Sequence, residues 1–417
     1  MATTLPYTAA VLGVPFHGIT IDEAVRFIED KIDQGGFHQV ATANVDFLRH
    51  SMKDKALQEI LCSCDLVVPD GMPILWAAKL MGRSLKERVC GIDLVPKLAA
   101  LCVRRNFSMY LLGAAEATSA KAADKLIQAF PGLRIAGRYS PPPASLEDMD
   151  HDDILQRIAE AKPDILLVAF GNPKQEKWIS MHRDSLNVPV CIGVGGSLDF
   201  IAGATKRAPL WMQKSGLEWL HRVSREPGRL AKRYFHDIID FAFQMPTQYL
   251  TAALQPKHKT RPGVYRDRIE STDVISVYGD FTEEAVNKFH TMASASVERG
   301  RNLVLNLAET TCLGTDALGA LIQVSSAMRE SSRELWLAAM QPQVRRMLHG
   351  AHLNMYFMMT SSVDDAIHRA ERAEQQHYAP AVTSFSNRAS LGKVQVRFEF
   401  LQGICQTIAA GAPLHKF

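Results

Sequence analysis

Short runs of apolar residues alternate with amphipathic segments over the first half of the chain. Between residues 11 and 194 the apolar runs read HQVATAN, CDLVVPD, FSMYLLGA, DILLVAFG and VPVCIGVGG. Each run has the length and the aliphatic content of a buried strand, and helix-like segments separate the runs. This alternation predicts βαβ units, and therefore an α/β domain built on a parallel sheet.

Glycine or polar residues directly follow several of the predicted strands. These residues are Asn44, Asp70, Gly71, Gly113, Gly171, Gly195 and Gly196. Ligands of open α/β sheets bind outside the carboxyl ends of the strands. We therefore expect these residues to line one crevice.

A second alternation of strands and helices follows the linker QPKHKTRPG, which is rich in basic residues and proline. We predict a first domain at 1–255, the linker at 256–265 and a second, smaller α/β domain at 266–374. The two domains are expected to be separable, so that the second folds alone. The tail, 375–417, contains KVQVRFEFLQ, whose alternating apolar residues predict one half-buried strand.

The end of the first domain is basic and aromatic. Residues 204–233 contain eight basic and two acidic residues, a local net charge of +6 against +3 for the whole chain. Trp211 and Trp219 lie in this segment, and YFHDIIDFAFQMPTQYL follows at roughly helical spacing. Since Trp and Tyr favour the headgroup region of a bilayer, the pattern favours a membrane surface over nucleic acid. A solvated basic helix is the simpler alternative.

Composition is ordinary for a globular protein. The 417 residues are 47% apolar, enough for two or three cores. The seven cysteines are an odd number without zinc-like spacing, so we expect reduced thiols. The first residues lack the pattern of a signal peptide, and no run of about 18 apolar residues occurs. These features predict a cytoplasmic protein that does not span a membrane.

Three segments carry candidate chemistry, each with a plain structural alternative. Asp70 leaves a strand just before Gly71, where a carboxylate could act as a general base, although Asp-Gly is also a common turn. In FGNPKQEKW, Pro173 opens a helix whose start favours phosphate, and a well-capped helix explains the segment equally well. IGVGGSLDFIAG could bring backbone close to a nucleotide, but the third glycine of a dinucleotide fingerprint is missing.

The order of the motifs identifies a family. The motifs are TAN, PDGMP, RVCGIDL, GNPKQEKW, GVGGSLDFIAG and KRAPLWMQKSGLEWLHRVSREPGR. In this order they closely resemble the WecB/TagA/CpsF glycosyltransferases, over about residues 11–234. The resemblance implies a Rossmann-like, inverting transferase that moves a sugar from a UDP-sugar to a polyprenyl-diphosphate-linked saccharide. It further implies cell-surface polysaccharide or exopolysaccharide synthesis, by an enzyme peripheral on the inner face of the cytoplasmic membrane.

The resemblance also implies roles for individual residues. Asp70 takes the position of the catalytic base. The positions that line the sugar-nucleotide pocket are Thr42, Asn44, Arg88 and Gln175, and those of the glycine-rich nucleotide loop are Gly195, Gly196 and Asp199. The basic carboxy-terminal appendage corresponds to Arg222, Arg229 and Lys232, whose charges would bind a diphosphate.

Two overlapping DxD patterns raise the question of a metal. They are formed by Asp148, Asp150 and Asp152. These acids stand before a predicted helix, where negative charge is favourable without a metal, and the resembled family does not rely on such a motif. We therefore predict transfer without a metal or any other cofactor, with the UDP-sugar as donor substrate.

The second domain resembles STAS domains, the fold of anti-sigma-factor antagonists, through LVLNLAETTCLGTDALGALI. In regulatory STAS domains a serine just before a helix start is phosphorylated. Asp316 occupies that position here and Thr315 precedes it, so both are regulatory candidates. The resemblance implies a docking or regulatory domain that binds a protein partner without a kinase switch.

Two other functions stay open at this point. One is a nonenzymatic STAS regulator whose first domain senses a nucleotide sugar. The other is a nicotinamide oxidoreductase, against which the missing third glycine argues. For a transferase, the donor sugar is also open, with N-acetylmannosamine, glucose and glucuronic acid all compatible with the resemblance.

Overall fold

The computed structural model describes residues 8–215, 217–225, 227–253, 262–269 and 271–378. These residues form a parallel sheet, a second sheet that is parallel except for one strand, a short antiparallel hairpin, and flanking helices. The elements before the linker are β1 (Ala9–Val11), β2 (Val14–Phe16), α1 (Ile21–Gln34), β3 (His38–Ala43), α2 (Val45–Ser51), α3 (Lys55–Ser63), β4 (Leu66–Pro69), α4 (Met72–Leu80), α5 (Gly91–Arg105), β5 (Ser108–Gly113), α6 (Glu116–Ala129), β6 (Arg134–Tyr139), α7 (His151–Ala161), β7 (Ile165–Ala169), α8 (Lys174–Met181), β8 (Val190–Gly193), α9 (Ser197–Ala202), α10 (Leu210–Lys214), α11 (Glu218–Arg225) and α12 (Pro227–Ala253).

The first sheet has six parallel strands in the order β4, β3, β8, β7, β5, β6. Its inner strands are buried almost throughout, as expected for a sheet covered by helices on both faces. From β3 the chain moves to β4, at one edge of the sheet, and then crosses to β5 and β6 at the other edge. The direction of winding therefore reverses between β3 and β8, and such a reversal opens a crevice at the carboxyl ends of the two strands.

The five strands predicted from the apolar runs are confirmed as β3, β4, β5, β7 and β8. The sequence pattern missed β6, because this edge strand is mostly half exposed and carries arginine at two of its positions. It also missed the short antiparallel hairpin of β1 and β2. Capping of α7 is confirmed, since the Asp150 carboxylate accepts a hydrogen bond from the Asp153 N–H at 3.0 Å.

The elements after the linker are β9 (Gly263–Ile269), β10 (Thr272–Phe281), α13 (Glu283–Glu298), β11 (Asn302–Asn306), β12 (Thr310–Leu313), α14 (Thr315–Glu330), β13 (Leu335–Ala338), α15 (Pro342–Gly350), β14 (Met358–Thr360) and α16 (Val363–Tyr378). The parallel strands follow the order β12, β10, β11, β13, β14, and β9 pairs antiparallel with β10. The predicted second alternation is thus confirmed. The strand predicted in the tail lies outside the described residues.

The two predicted domains pack against each other within one compact unit that extends to Glu371. Ala10 of β1 and Cys62 of α3 belong to the same buried cluster as the apolar residues of α13, α14 and α15. Helix α12 lies between α2 and α15. The fully buried Gln248 amide fixes α12 to the hairpin, accepting from the Leu12 N–H and donating to the Ala10 carbonyl, both at 3.0 Å.

This shared packing differs from the separable domains that the linker suggested. The cause lies in the hairpin and α3, which pack on the first sheet with most of their apolar side chains and contribute Ala10 and Cys62 to the buried cluster of α14. Over the described residues, none of the helices combines the length and the hydropathy needed to span a bilayer.

Candidate functional site

A cavity of about 330 Å³ opens at the carboxyl ends of β3, β4, β7 and β8. Its wall includes eight of the residues predicted from the sequence, namely Thr42, Asn44, Asp70, Gln175, Gly195, Gly196, Asp199 and Arg222. The strand ends converge there because all six strands run in one direction and the winding reverses between β3 and β8. The cavity lies where the crevice was predicted, although Gly71 and Gly113, which were expected to line it, are not part of its wall.

Asp70 lies where β4 ends, with its N–H bonded to the carbonyl oxygen of Ala43 on β3 at 2.8 Å. Burial raises the pKa of Asp70 above its ordinary value, and Glu218 adds to the rise. A hydrogen bond from Cys90 and the charges of Arg222 and Arg88 oppose the rise. A carboxylate with a raised pKa is a stronger base than an exposed aspartate, and cations beside it keep the ionised form accessible.

Arg88 and Arg222 share one acidic partner, Glu218 of α11. Arg88 donates to Glu218 Oε2 at 2.7 Å, and Arg222 lies 3.5 Å from Glu218 Oε1. Arg222 also stacks over the ring of Phe200, 4.6 Å from its centroid. Arg88 itself stands behind the cavity wall rather than in it. The two guanidinium groups thus form a cationic flank beside Asp70.

Arg207 extends this flank and was not among the predicted site residues. Its guanidinium contacts both carboxylate oxygens of Asp93, at 2.5 and 2.7 Å, and lies 3.8 Å from Glu218. Arg207 stands in the KRAPL part of a family motif, and Asp93 stands in RVCGIDL. Because Arg207, Asp93, Cys90 and Glu218 all stand in motifs of the resembled family, their positions in those motifs could have predicted them as site residues.

Gln175 joins two loops of the cavity wall. Its Oε1 accepts hydrogen bonds from the N–H groups of Gly171, after β7, and Gly195, after β8, both at 3.1 Å. Its Nε2 donates to Glu176 Oε1 at 2.7 Å. Gln175 is only 2% exposed. In this arrangement its amide positions the backbone of the nucleotide loop as well as bordering the cavity.

Glu176 fixes the orientation of the Gln175 amide. Burial raises the pKa of Glu176 to about 8, and Asp46 adds to the rise, so the side chain is mainly protonated at neutral pH. A Cβ atom on Gly193 would lie 2.5 Å from Glu176 Oε1 and 2.6 Å from Gln175 Nε2. Glycine at 193 is therefore required by this buried pair, at the end of β8.

Thr42 and Asn44 have structural partners at the edge of the cavity. The Thr42 hydroxyl donates to the carbonyl of Gly193 at 3.3 Å, which bridges β3 and β8. Asn44 caps α2, with its Oδ1 accepting from the N–H groups of Asp46 and Phe47 at 3.1 and 3.4 Å. Their proposed contacts with a donor remain a prediction.

The other predicted residues lie elsewhere. Arg229 and Lys232 belong to the first turns of α12, and their side chains lie outside the described residues. Thr315 and Asp316 begin α14 in the second domain, where they contact Arg83 rather than the cavity.

Comparison with known proteins agrees with this architecture. Residues 9–255 match the family model described as "Glycosyl transferase WecG/TagA/CpsF family", and residues 265–366 match the STAS domain. The chain therefore belongs to the WecG/TagA/CpsF family of glycosyl transferases, and it carries a STAS domain behind the transferase domain. The resemblance seen in the motifs is confirmed. Membership in this family favours a glycosyltransferase over a nonenzymatic regulator or an oxidoreductase.

Two relatives carry the name N-acetylglucosaminyldiphosphoundecaprenol N-acetyl-beta-D-mannosaminyltransferase. The protein of Bacillus subtilis (strain 168) is 30% identical over 223 residues, which cover 53% of this chain and 85% of the relative. The protein of Bacillus spizizenii is 32% identical over 198 residues, covering 48% and 75%. Among solved structures, an anti-sigma factor antagonist from Mycobacterium paratuberculosis is 20% identical over 28% of this chain and 99% of its own, with a TM-score of 0.26.

Replacing Asp70 with Asn should lower kcat by at least about 100-fold, because the substitution removes the base but keeps the shape of the side chain. Donor affinity, measured by calorimetry, should change little. The kcat of the wild type should fall with decreasing pH as the carboxylate takes up a proton, and this fall should begin above the pH at which an ordinary aspartate titrates. Near-normal turnover by Asp70→Asn would refute the assignment.

Glu176→Gln should keep the Gln175 amide in place, whereas Glu176→Ala should release it and weaken donor binding. The Glu176 carboxyl has a pKa near 4.5 in the unfolded chain and of about 8 in the folded protein. Between these two values only the folded protein keeps the proton, so the contribution of this carboxyl to stability declines as the pH rises. The free energy of unfolding of Glu176→Gln relative to the wild type should therefore rise from pH 5 to pH 9, by about 4 kcal/mol.

Denaturant unfolding across this pH range measures the difference. Glu160 is an exposed glutamate on α7, so Glu160→Gln serves as the control and should show a flat difference. A flat difference for Glu176→Gln as well would mean that the buried carboxyl does not hold its proton.

Proposed function

We propose that this protein transfers a sugar from a UDP-sugar to a hydroxyl of a polyprenyl-diphosphate-linked saccharide, with Asp70 as general base. The observation that carries the proposal is the position of Asp70, whose pKa is raised, beside Arg88 and Arg222 at the strand ends where the sheet reverses its winding. The names of the two relatives support a lipid-diphosphate acceptor of this class.

The proposed reaction is a direct displacement. The Asp70 carboxylate takes the proton of the acceptor hydroxyl while the hydroxyl oxygen forms a bond to the anomeric carbon. The bond between that carbon and the UDP oxygen breaks, and UDP leaves with the bonding electrons, so the anomeric centre inverts. Arg222, which lines the cavity, stabilises the negative charge that develops on the departing diphosphate, because a guanidinium group donates paired hydrogen bonds to phosphate oxygens. Arg88, behind the wall, adds its positive charge without direct contact.

Helix α12 supports a membrane surface as the place of reaction. Its outward side carries the exposed apolar residues Phe235, Ile238, Phe243, Tyr249 and Leu250. On the opposite side the buried Asp237 accepts from Arg49 at 2.6 Å, which fixes the rotation of the helix about its axis. Exposed aromatic and aliphatic side chains on one helix face, beside a strongly basic segment, are typical of helices that lie on a bilayer.

Transfer without a metal is supported by the positions of the acidic loop residues. Asp150 caps α7, and Asp153 pairs with Arg157 at 2.9 Å. Asp148 accepts from Ser145 at 2.7 Å. These acids lie outside the cavity wall, where Arg222 and Lys206 are the basic side chains that could hold a donor diphosphate.

Incubation of the full chain with UDP-N-acetylmannosamine, UDP-glucose or UDP-glucuronic acid and a short-chain N-acetylglucosaminyl-diphosphate lipid tests the proposal. Mass spectrometry should detect the acceptor plus one sugar with one of these donors, and EDTA should not reduce the rate. Asp70→Asn is the matched control. Absence of product with every donor would refute the transfer, and product only after addition of magnesium or manganese would refute metal independence.

Phe235→Ser combined with Phe243→Ser should weaken binding to vesicles of anionic phospholipid by about tenfold or more, because the two rings are 62% and 74% exposed on α12. Co-sedimentation measures the binding. Transfer to a water-soluble short-chain acceptor should be unchanged. A matched control is Tyr265→Ser, which removes a similarly exposed ring from β9. Equal binding by the double variant and this control would show that α12 does not face the membrane.

A further inference from the structure

Segment 82–90 connects the STAS domain with the cavity. It runs between α4 and α5 without helix or strand. Arg83, near its first end, contacts the STAS domain, and Arg88 and Cys90, at its other end, lie beside Asp70. One short stretch of chain therefore touches both the regulatory domain and the proposed catalytic base.

Arg83 bonds two consecutive residues at the start of α14. Its Nε donates to the Thr315 hydroxyl at 2.9 Å, and its terminal nitrogen lies 3.1 Å from Asp316 Oδ1. The side chains of Arg83 and Asp316 are 34% and 19% exposed, so the contact is partly shielded from water. A charge-assisted bond of this kind is stronger than a neutral one and sensitive to geometry.

The remainder of α14 also faces the transferase domain. Leu318 and Leu321 share a buried cluster with Ala10 and Cys62. A second ion pair, Arg329 with Glu59 at 3.5 Å, joins α14 to α3. The helix start that the STAS resemblance assigns to regulation thus has a partner within the same chain.

Two routes lead from Arg83 to Asp70. The Arg83 N–H donates to the carbonyl of Ala78, so Arg83 fixes the end of α4, the helix that begins directly after Asp70 and Gly71. At the other end of the segment, the Val89 N–H donates to the carbonyl of Pro69 at 2.9 Å. The second connection reaches the residue that precedes Asp70, and the first reaches the end of the helix that begins two residues after Asp70.

We propose that the STAS domain positions the catalytic site of its own chain, through a latch formed by Thr315 and Asp316 with Arg83. This proposal rests on the proposed transfer function. Arg83 is a positioning residue, since it lies away from the cavity wall and acts through α4 and segment 82–90. The surface at the start of α14 therefore binds a partner within the same chain. That partner is Arg83 of the transferase domain.

The test compares full-length Thr315→Val and Asp316→Asn, which preserve side-chain size, and Arg83→Gln, which shortens the side chain and removes its charge, with Glu59→Gln. The control removes a different ion pair of the same interface, Arg329 with Glu59, and does not touch segment 82–90. Amide hydrogen exchange of the segment is measured without substrate, and kcat and donor Kd are measured separately. Thr315→Val removes one hydrogen bond of the latch without removing a charge. It therefore tests the latch even if the charge-removing variants do not fold.

Latch variants should speed exchange in segment 82–90 by about tenfold and lower kcat by at least about fivefold, since small displacements of catalytic groups are costly. Donor Kd should stay within about twofold, and Asp316→Asn with Arg83→Gln together should cost little more than either alone. Glu59→Gln should leave exchange and kcat unchanged.

Unchanged exchange in the segment would overturn the latch. Faster exchange with normal kcat would overturn its positioning role, as would an equal loss of kcat in Glu59→Gln. If the wild type transfers no sugar at all, the proposed function fails, and the exchange data still decide separately whether Thr315 and Asp316 hold segment 82–90.

Discussion

The cavity depends on a single amide oxygen, that of Gln175. Parallel strands bring β7 and β8 side by side, and the loops after them contain glycines whose backbone N–H groups need acceptors. By accepting the N–H groups of Gly171 and Gly195, Gln175 fixes both loops at once. Glu176, mainly protonated because it is buried, then holds the other end of the amide. The glycine-rich loop is thereby rigid before a substrate arrives, which reduces the entropy lost on binding.

Much of the transferase fold could be predicted from the sequence because the inner strands are continuous aliphatic runs, buried on both faces. The edge strand β6 escaped the same reasoning, since its residues are only partly buried and its pattern is polar. The strand-end rule brought Thr42, Asn44 and Asp70 to one place. It could not find the acidic partners of the arginines, because Arg88 and Glu218 are 130 residues apart and meet only through the tertiary fold.

The sequence did not show how closely the two domains pack, and the reason is physical. Whether the second domain folds alone stays a prediction. A linker shows that two segments can move apart, but it says nothing about whether their surfaces match. Here the hairpin of β1 and β2, together with α3, supplies part of the cover for α14. The buried Gln248 bonds the hairpin from α12, and α12 itself packs on α15. Cutting the chain at the linker would expose this apolar surface on both fragments.

Charge balance in the cavity explains how a diphosphate could bind firmly and still leave. Arg88 and Arg222 keep their charges at any physiological pH, and Glu218 accepts from both. A bound diphosphate would compete with Glu218 for the Arg222 guanidinium, so its net gain is smaller than the bare attraction between the charges. When UDP departs, Glu218 can resume its bonds at once, and the arginines are never left buried without a partner. The same carboxylate raises the pKa of Asp70, so loss of its charge balance would alter the base as well as the phosphate-binding flank. Glu218 therefore couples the two halves of the proposed chemistry, proton removal at Asp70 and stabilisation of the leaving diphosphate.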